Sequence, residues 1–384
     1  MKNQNIFYWS PSLVKIATNQ AVIQSASAIN KYDKNLKPTI INFFGEFQDY
    51  ENEISKNKIN ILNFYNKKIF NILPRHGFFQ SRISFIIIFI LGILPLHNLI
   101  KKMKPEFLII HLITSLPLFL VFFFKYETKF ILRISGFPKL NFLRKLLWKL
   151  TLKKIYKITC PTNLTKNYLI SLNIVDKKKI YVLQDPVLDV NKSRKLKEQN
   201  HDIKVDNYLF AAGRLTKQKN FELLIDGFNK IQKNYPKINL VIAGDGELKK
   251  QLISKINNLN LNNKVHLVGF KNNIFNYMKN SQGFILSSLW EDPGFVLIEA
   301  AFCRSPIVTS DCHSGPKEII DDDSYAYIFK SGDLDDFIKT LDIFLKDLSD
   351  NKSLINSKKI KLLKKVNIYT KFRHFIKLRK ILKN

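Results

Sequence analysis

Along the first half of the chain, short continuous apolar runs alternate with stretches in which apolar residues recur at helical spacing. Asn5–Trp9 and Thr39–Phe44 predict strands and Val14–Ile29 a helix; Phe130–Ser135, Lys157–Cys160 and Ile180–Leu183 predict further strands. Such alternation predicts a parallel sheet covered by helices. The second half repeats the rhythm more cleanly. Strands are expected at Tyr208–Ala212, Ile238–Ala243, Val265–Leu267, Gly283–Leu286 and Pro306–Ser310. Helices are expected at Asn220–Lys233, Glu247–Leu259, Ile274–Lys279, Pro293–Phe302, Pro316–Ile320 and Asp333–Leu348, giving a doubly wound α/β sheet.

Two uncharged runs interrupt this picture, Ile83–Ile100 and Phe107–Phe124, each about as long as a bilayer span. The first contains Gly92, Pro95, His97 and Asn98, and the second His111, Thr114, Ser115 and Pro117. The second also divides into a strand Phe107–His111, a turn at Thr114-Ser115 and a short helix Leu116–Phe124. Between Lys67 and Lys149 stand fourteen Lys or Arg and two acids, Glu106 and Glu127. An apolar helix in a basic field suits a peripheral enzyme dipping into an anionic membrane surface; it equally suits a core helix with a solvated basic edge.

At 384 residues the chain is long enough for two domains. Asn191–Asp206 is charged and aperiodic, as a linker would be. The expected division is a first domain 1–190, a linker 191–206, a second domain 207–365 and a terminal helix 366–384. The net charge of +31 invites an anionic partner, although a coding bias toward Lys, Asn and Ile would raise it as well. Nucleic acid is disfavoured by the lack of an RNP-like, helix-turn-helix or zinc-finger pattern. Cys160, Cys303 and Cys312 form no CxxC pair, and MKNQNIFYWSPSL lacks the apolar core of a secretory signal. A cytoplasmic location is expected, either free or peripheral on the inner face of the plasma membrane.

Four loops of the second half follow predicted strands and lead toward helices, where open parallel sheets bind ligands. Gly213-Arg214-Leu215-Thr216-Lys217-Gln218-Lys219 carries two cations able to close on a diphosphate. In Ala243-Gly244-Asp245-Gly246-Glu247 the glycines would admit a ligand to the backbone. In Leu289 to Glu299, Asp292 is the expected cap and Pro293 the first turn of a helix whose amides at Gly294, Phe295 and Val296 suit a phosphate. Glu299 would then lie about 10 Å along the axis, too far from Glu291 for the close pair of a retaining glycosidase. The fourth loop, Ser310 to Glu318, has one Cys beside one His and no second pair, so no metal is expected.

From Tyr208 to about Ile320 the segments GRLTKQKN, AGDGE, HLVGF, SSLWEDPGFVLIEA and TSDCHSGPKEI stand in the order and spacing of a GT-B glycosyltransferase of family 4, which the chain resembles. The resemblance implies two facing Rossmann-like domains, a terminal helix returning to the first, and metal-free transfer with retention. It implies that Glu291 contacts the donor sugar and Glu299 the ribose hydroxyls. Arg214 and Lys219 would neutralise the leaving diphosphate with amides near Gly294 to Val296, and Gly269, Phe270 and Lys271 would lie near the base. No cofactor is implied beyond a nucleotide-sugar donor, with a UDP-sugar favoured. The acceptor would be a glycan or polyprenyl-linked acceptor in surface polysaccharide or glycolipid synthesis, or alternatively a soluble molecule. The first half departs from the pattern: Trp9-Ser10-Pro11-Ser12 replaces a glycine-rich loop, and Arg133-Ile134-Ser135-Gly136-Phe137 stands where many relatives carry a histidine. No catalytic histidine is carried over; His111 is the candidate, with acceptor contacts by Ser135 and Gly136 as the other possibility.

Overall fold

The computed structural model describes residues 4–13, 16–65, 73–74, 78–138, 140–203 and 205–383. The chain divides into two compact units, Met1–Pro186 with Lys371–Asn384, and Val187–Thr370.

In the first unit seven strands, β1 (Gln4–Trp9), β2 (Leu36–Asn42), β3 (Asn60–Asn63), β4 (Phe107–Ile110), β5 (Lys129–Arg133), β6 (Lys157–Cys160) and β7 (Ile180–Val182), form one parallel sheet. Their order is β3-β2-β1-β4-β5-β6-β7, so the direction of winding reverses between β1 and β4. Parallel strands covered on both faces must be apolar throughout, and Phe107–Ile110 is buried at every position. The terminal helix Lys371–Lys383 belongs to this unit and packs on the helix Ala17–Tyr32. A buried polar chain fastens it. The His374 ring donates from Nδ1 to the Gln184 carbonyl (2.6 Å), which leaves Nε2 to accept from Ser25 (2.8 Å), whose oxygen in turn accepts from Tyr8 (2.9 Å).

The run Ile83–Ile100 lies within one helix, Phe78–Met103, with Pro95 inside it. Ser84, Ile88, Gly92, Leu96 and Ile100 are buried at a four-residue repeat. A methyl at Gly92 would come within 2.5 Å of Leu116, so this stripe lies directly on its neighbour. The helix is long and apolar enough to cross a membrane, but one face of it is a layer of the unit's core. The second run divides as its turn residues predict, into β4 and a helix Ser115–Phe123.

In the second unit β8 (Tyr208–Ala212), β9 (Asn239–Ala243), β10 (Val265–Leu267), β11 (Gly283–Leu286), β13 (Ile307–Ser310) and β15 (Tyr327–Phe329) make a parallel sheet ordered β10-β9-β8-β11-β13-β15. This order reverses between β8 and β11, the arrangement of a dinucleotide-binding fold. The strands β12 (Trp290–Glu291) and β14 (His313–Ser314) pair separately.

The segment Asn191–Asp206, expected as a linker, is part of this unit. It contains most of a helix, Val190–Lys197, whose N-terminus is capped by Asp189 accepting from the Lys192 amide (3.3 Å). Hydrogen bonds hold it and the following turn: Asn273 donates to the Leu196 carbonyl (2.8 Å), Asn276 donates to the Asn200 carbonyl (2.9 Å), and Lys279 pairs with Glu198. The boundaries fall at Pro186/Val187 and Thr370/Lys371 rather than at 190 and 365.

Candidate active site

Open sheets bind ligands beyond the carboxyl ends of the strands where their order reverses. In the second unit those strands are β8 and β11, followed respectively by the loop Gly213–Lys219 and the loop from Ser287 to Gly294. Backbone and side chains knit the two loops together. The Leu289 amide donates to the Gln218 carbonyl (2.8 Å), Ser287 Oγ to the Lys219 carbonyl (2.7 Å) and Gln218 Nε2 to the Trp290 carbonyl (2.8 Å).

At this junction Lys219 Nζ meets Glu291 Oε1 in an ion pair whose side chains are only 11% and 8% exposed. Ser288 Oγ donates to the same carboxylate oxygen (2.6 Å). Arg214, on the same loop as Lys219, is exposed, and its guanidinium makes no hydrogen bond or ion pair among the described residues. Of the two expected phosphate-binding cations, one is already neutralised internally and one is not. Thr216 Oγ1 lies buried between them in sequence with no hydrogen-bond partner among the described residues.

The helix carrying Glu299 begins later than its sequence suggests. It spans Phe295–Phe302, with Gly294 at its N-cap in the left-handed region (φ 88°), where a side chain would be strained. Asp292 does not cap it. Its carboxylate accepts from Ser314 Oγ (3.0 Å), and the Asp292–Pro293 peptide is cis. Pro293 precedes the helix, its backbone pressed so close to Gly315 that a methyl there would come within 1.8 Å of the Pro293 oxygen. Glu299 therefore stands about 6 Å along the axis from the first helical residue, not 10 Å. The amides of Phe295 and Val296 find no acceptor among the described residues, as expected of a helix's first turn. Glu299 is only partly exposed, and its carboxylate makes no hydrogen bond or ion pair among them. Burial pushes this carboxyl up to about 8, with the Lys219 charge pulling the other way.

The remaining loops support these two. β12 and β14 bring the fourth loop onto the third, pairing Trp290 with His313 and Glu291 with Ser314, and Ser310 Oγ donates to the Ser288 carbonyl (2.6 Å). Gly244 and Gly246 were expected to admit a ligand. Instead they admit the first loop: a methyl at Gly244 would lie 1.9 Å from the Gly213 oxygen, and one at Gly246 2.6 Å from the Leu215 oxygen. The Leu215 amide and carbonyl bond respectively to the Asp245 carbonyl (2.9 Å) and the Leu248 amide (3.0 Å). Beyond β10, Gly269 has open space where a side chain would be and Phe270 is 62% exposed. Lys271 is committed to Asp202, which also accepts from Tyr277. Sequence reasoning missed Ser288, Gln218 and Ser314, for which spacing offered no signal.

In the first unit the reversal between β1 and β4 places His111 beside Ser10. The His111 amide donates to the Trp9 carbonyl (2.8 Å), and Ser10 Oγ is buried with no hydrogen-bond partner among the described residues. Burial, together with the charge of Arg133, drives the His111 imidazole well below its ordinary value. Arg133, in the segment read against the family's histidine, is structural. Its guanidinium donates to Asp185 (2.6 Å), with 2% and 11% of the two side chains exposed.

Residues 192–361 match the sequence model of the family described as glycosyl transferases group 1. An uncharacterized glycosyltransferase of Methanocaldococcus jannaschii is 31% identical over 317 residues, covering 77% of this chain and 73% of that one. The chain belongs to the group 1 glycosyltransferases. A second relative, the Escherichia coli UDP-Gal:alpha-D-GlcNAc-diphosphoundecaprenol alpha-1,3-galactosyltransferase, is 31% identical over 197 residues, 48% of this glycosyltransferase and only 50% of the relative. The structure of Anabaena HepE, solved with UDP and glucose, superposes with a TM-score of 0.72 at 13% identity, covering 99% of this glycosyltransferase and all of that chain. The fold is therefore GT-B, with two Rossmann-like units.

Proposed function

We propose that this glycosyltransferase belongs to family 4 and moves a sugar from a UDP-sugar, with retention of anomeric configuration, to a polyprenyl-linked glycan during surface polysaccharide synthesis. The observation carrying the donor side is complementarity at the β8/β11 reversal. Among the described residues, Arg214 and the first-turn amides of Phe295 and Val296 are unpaired donors suited to a diphosphate, and the unpaired Glu299 carboxylate is an acceptor suited to ribose hydroxyls. As the bond from the sugar to the diphosphate breaks, negative charge grows on the departing phosphate oxygen. Arg214, Lys219 and the helix dipole stabilise it. The acceptor hydroxyl forms the new bond on the same face and loses its proton to that oxygen. Glu291, fixed by Ser288 and Lys219, orients the donor sugar through its second carboxylate oxygen. Gly269 and Phe270, with open space beside them, border the base. The acceptor class is supported by the undecaprenol-linked substrate in the name of the Escherichia coli relative.

The test is nucleotide release from UDP-, GDP- and ADP-sugars with a short-chain polyprenyl-diphosphate glycan, with the product's anomeric configuration read by NMR. Transfer from a UDP-sugar with retention is expected, reduced at least about a hundredfold in Arg214→Ala. Inversion, or no response to any nucleotide-sugar, overturns the proposal.

A further inference from the structure

Of the 24 large hydrophobic side chains exposed on the described surface, 15 fall between Ile83 and Leu150. They are concentrated on three helices of the first unit, Phe78–Met103, Ser115–Phe123 and Phe142–Thr151. The middle helix packs against both of the others.

The outer helix faces are apolar where a soluble protein's would be polar. On the first helix the buried stripe of Ser84, Ile88, Gly92, Leu96 and Ile100 leaves Ile83, Ile86, Ile90 and Leu94 on the outside, 52%, 60%, 63% and 70% exposed. Aromatic contacts carry this surface to the middle helix, from Phe89 to Phe119 (5.3 Å) to Phe123 (4.6 Å). On the third helix Trp148 and Thr151 point inward, while Phe142, Leu143, Leu146 and Leu150 occupy an outward arc of about 100° at 100° per residue.

Cations border the apolar surface. Lys145 and Lys149 flank the arc on the third helix, Lys101 and Lys102 end the first, and Lys125 follows the middle one; all are exposed and make no ion pair among the described residues. Both local acids are already engaged, Glu106 with Lys129 and Glu127 with Lys104. Lys154 donates to the Phe122 carbonyl (2.7 Å) and stands 5.6 Å from that residue's ring, joining apolar surface to cation.

We infer that these three helices form a docking surface for an anionic phospholipid bilayer, which the apolar faces enter while the lysines meet the headgroups. The charge border selects a lipid surface over a second copy of this chain, whose identical face would oppose lysine to lysine. The first helix lies in the interface plane and does not span, because its inner stripe is occupied by the unit's own core. This surface involves none of the donor-site residues, so it stands or falls separately from the proposed reaction.

The experiment is pelleting of the full chain with vesicles of phosphatidylcholine alone and with one third phosphatidylglycerol, at low and high salt. Donor-sugar hydrolysis measured in solution serves as the control for folding. Binding to anionic vesicles that is screened by salt is expected. Lys145→Gln with Lys149→Gln should weaken it about fivefold per cation. Ile86→Asp with Ile90→Asp, or Phe142→Asp with Leu146→Asp, should abolish it without changing hydrolysis. Ile343→Asp with Ile360→Asp, also exposed but on the second unit, should bind as the parent does. Equal pelleting on neutral vesicles, retention after alkaline extraction, or self-association without vesicle binding would each overturn the inference.

Discussion

Replacing Glu299 by Gln should abolish a pH dependence in donor binding. Burial holds the parent carboxyl at about 8, so near pH 7 roughly a tenth of the molecules carry the charge. Ribose hydroxyls donate best to the ionised form, and binding must therefore expel a proton. Between pH 8.5 and 6.5 the ionised fraction falls about 25-fold, which is about 1.9 kcal/mol of donor affinity. Calorimetric titration with a UDP-sugar lacking acceptor reads this directly, since its diphosphate has no secondary ionisation in that range. Repeating it in buffers of different ionisation enthalpy counts the released proton. Glu299→Gln should bind with little slope. The same variant should melt higher at pH 8. A carboxyl whose folded value lies above its unfolded value contributes stability at low pH that is lost as pH rises through about 8, and Gln removes that loss. A flat parent profile, or an unchanged slope in the variant, refutes the assignment of Glu299 to the ribose.

Other consequences are equally accessible. Lys219→Met alone should destabilise the second unit by about 3 kcal/mol by stranding Glu291, whereas Lys219→Met with Glu291→Gln should recover most of that in thermal unfolding while leaving transfer abolished. His374 is buried and neutral, its imidazole held at about 4 by burial. Its contribution is therefore present above about pH 6.5 and lost as pH falls toward 4, up to about 3 kcal/mol in acid titrations of stability, and His374→Gln should flatten that window. Gly315→Ala forces a methyl against the Pro293 backbone, so its melting temperature should fall and donor binding weaken about tenfold or more.

What the sequence could reveal of the fold depended on how each element is held. β8 and β11 lie where their apolar runs put them, because a central parallel strand buried on both faces leaves no position for a polar residue. The helix Val190–Lys197 was invisible for the opposite reason. Only Ser193 of it is buried, and Asn273, Asn276 and Lys279 secure it and its turn from a segment far along the chain. The edge strand Tyr327–Phe329 has one partner, β13, and three residues, too few to show a period.

The donor loops were legible as a list of charges, but function depends on which charges neutralise one another. Arg214 and Lys219 are five positions apart and look equivalent. Folding gives Lys219 to Glu291, 72 residues away, and leaves Arg214 unclaimed. Glycines differ in a related way: Gly244 and Gly246 make room for a loop and Gly315 for Pro293, whereas Gly269 and Gly294 are required by their own dihedral angles. These close approaches lock the loop bearing Arg214 and Lys219 to its neighbours before any ligand arrives. A diphosphate entering such a site meets cations and amides that need little reorganisation, and rigid placement is what makes a fixed dipole effective against developing charge. In the proposed reaction the donor therefore completes the groups that folding leaves open, Arg214 and Glu299, beside a Lys219–Glu291 pair that is already formed.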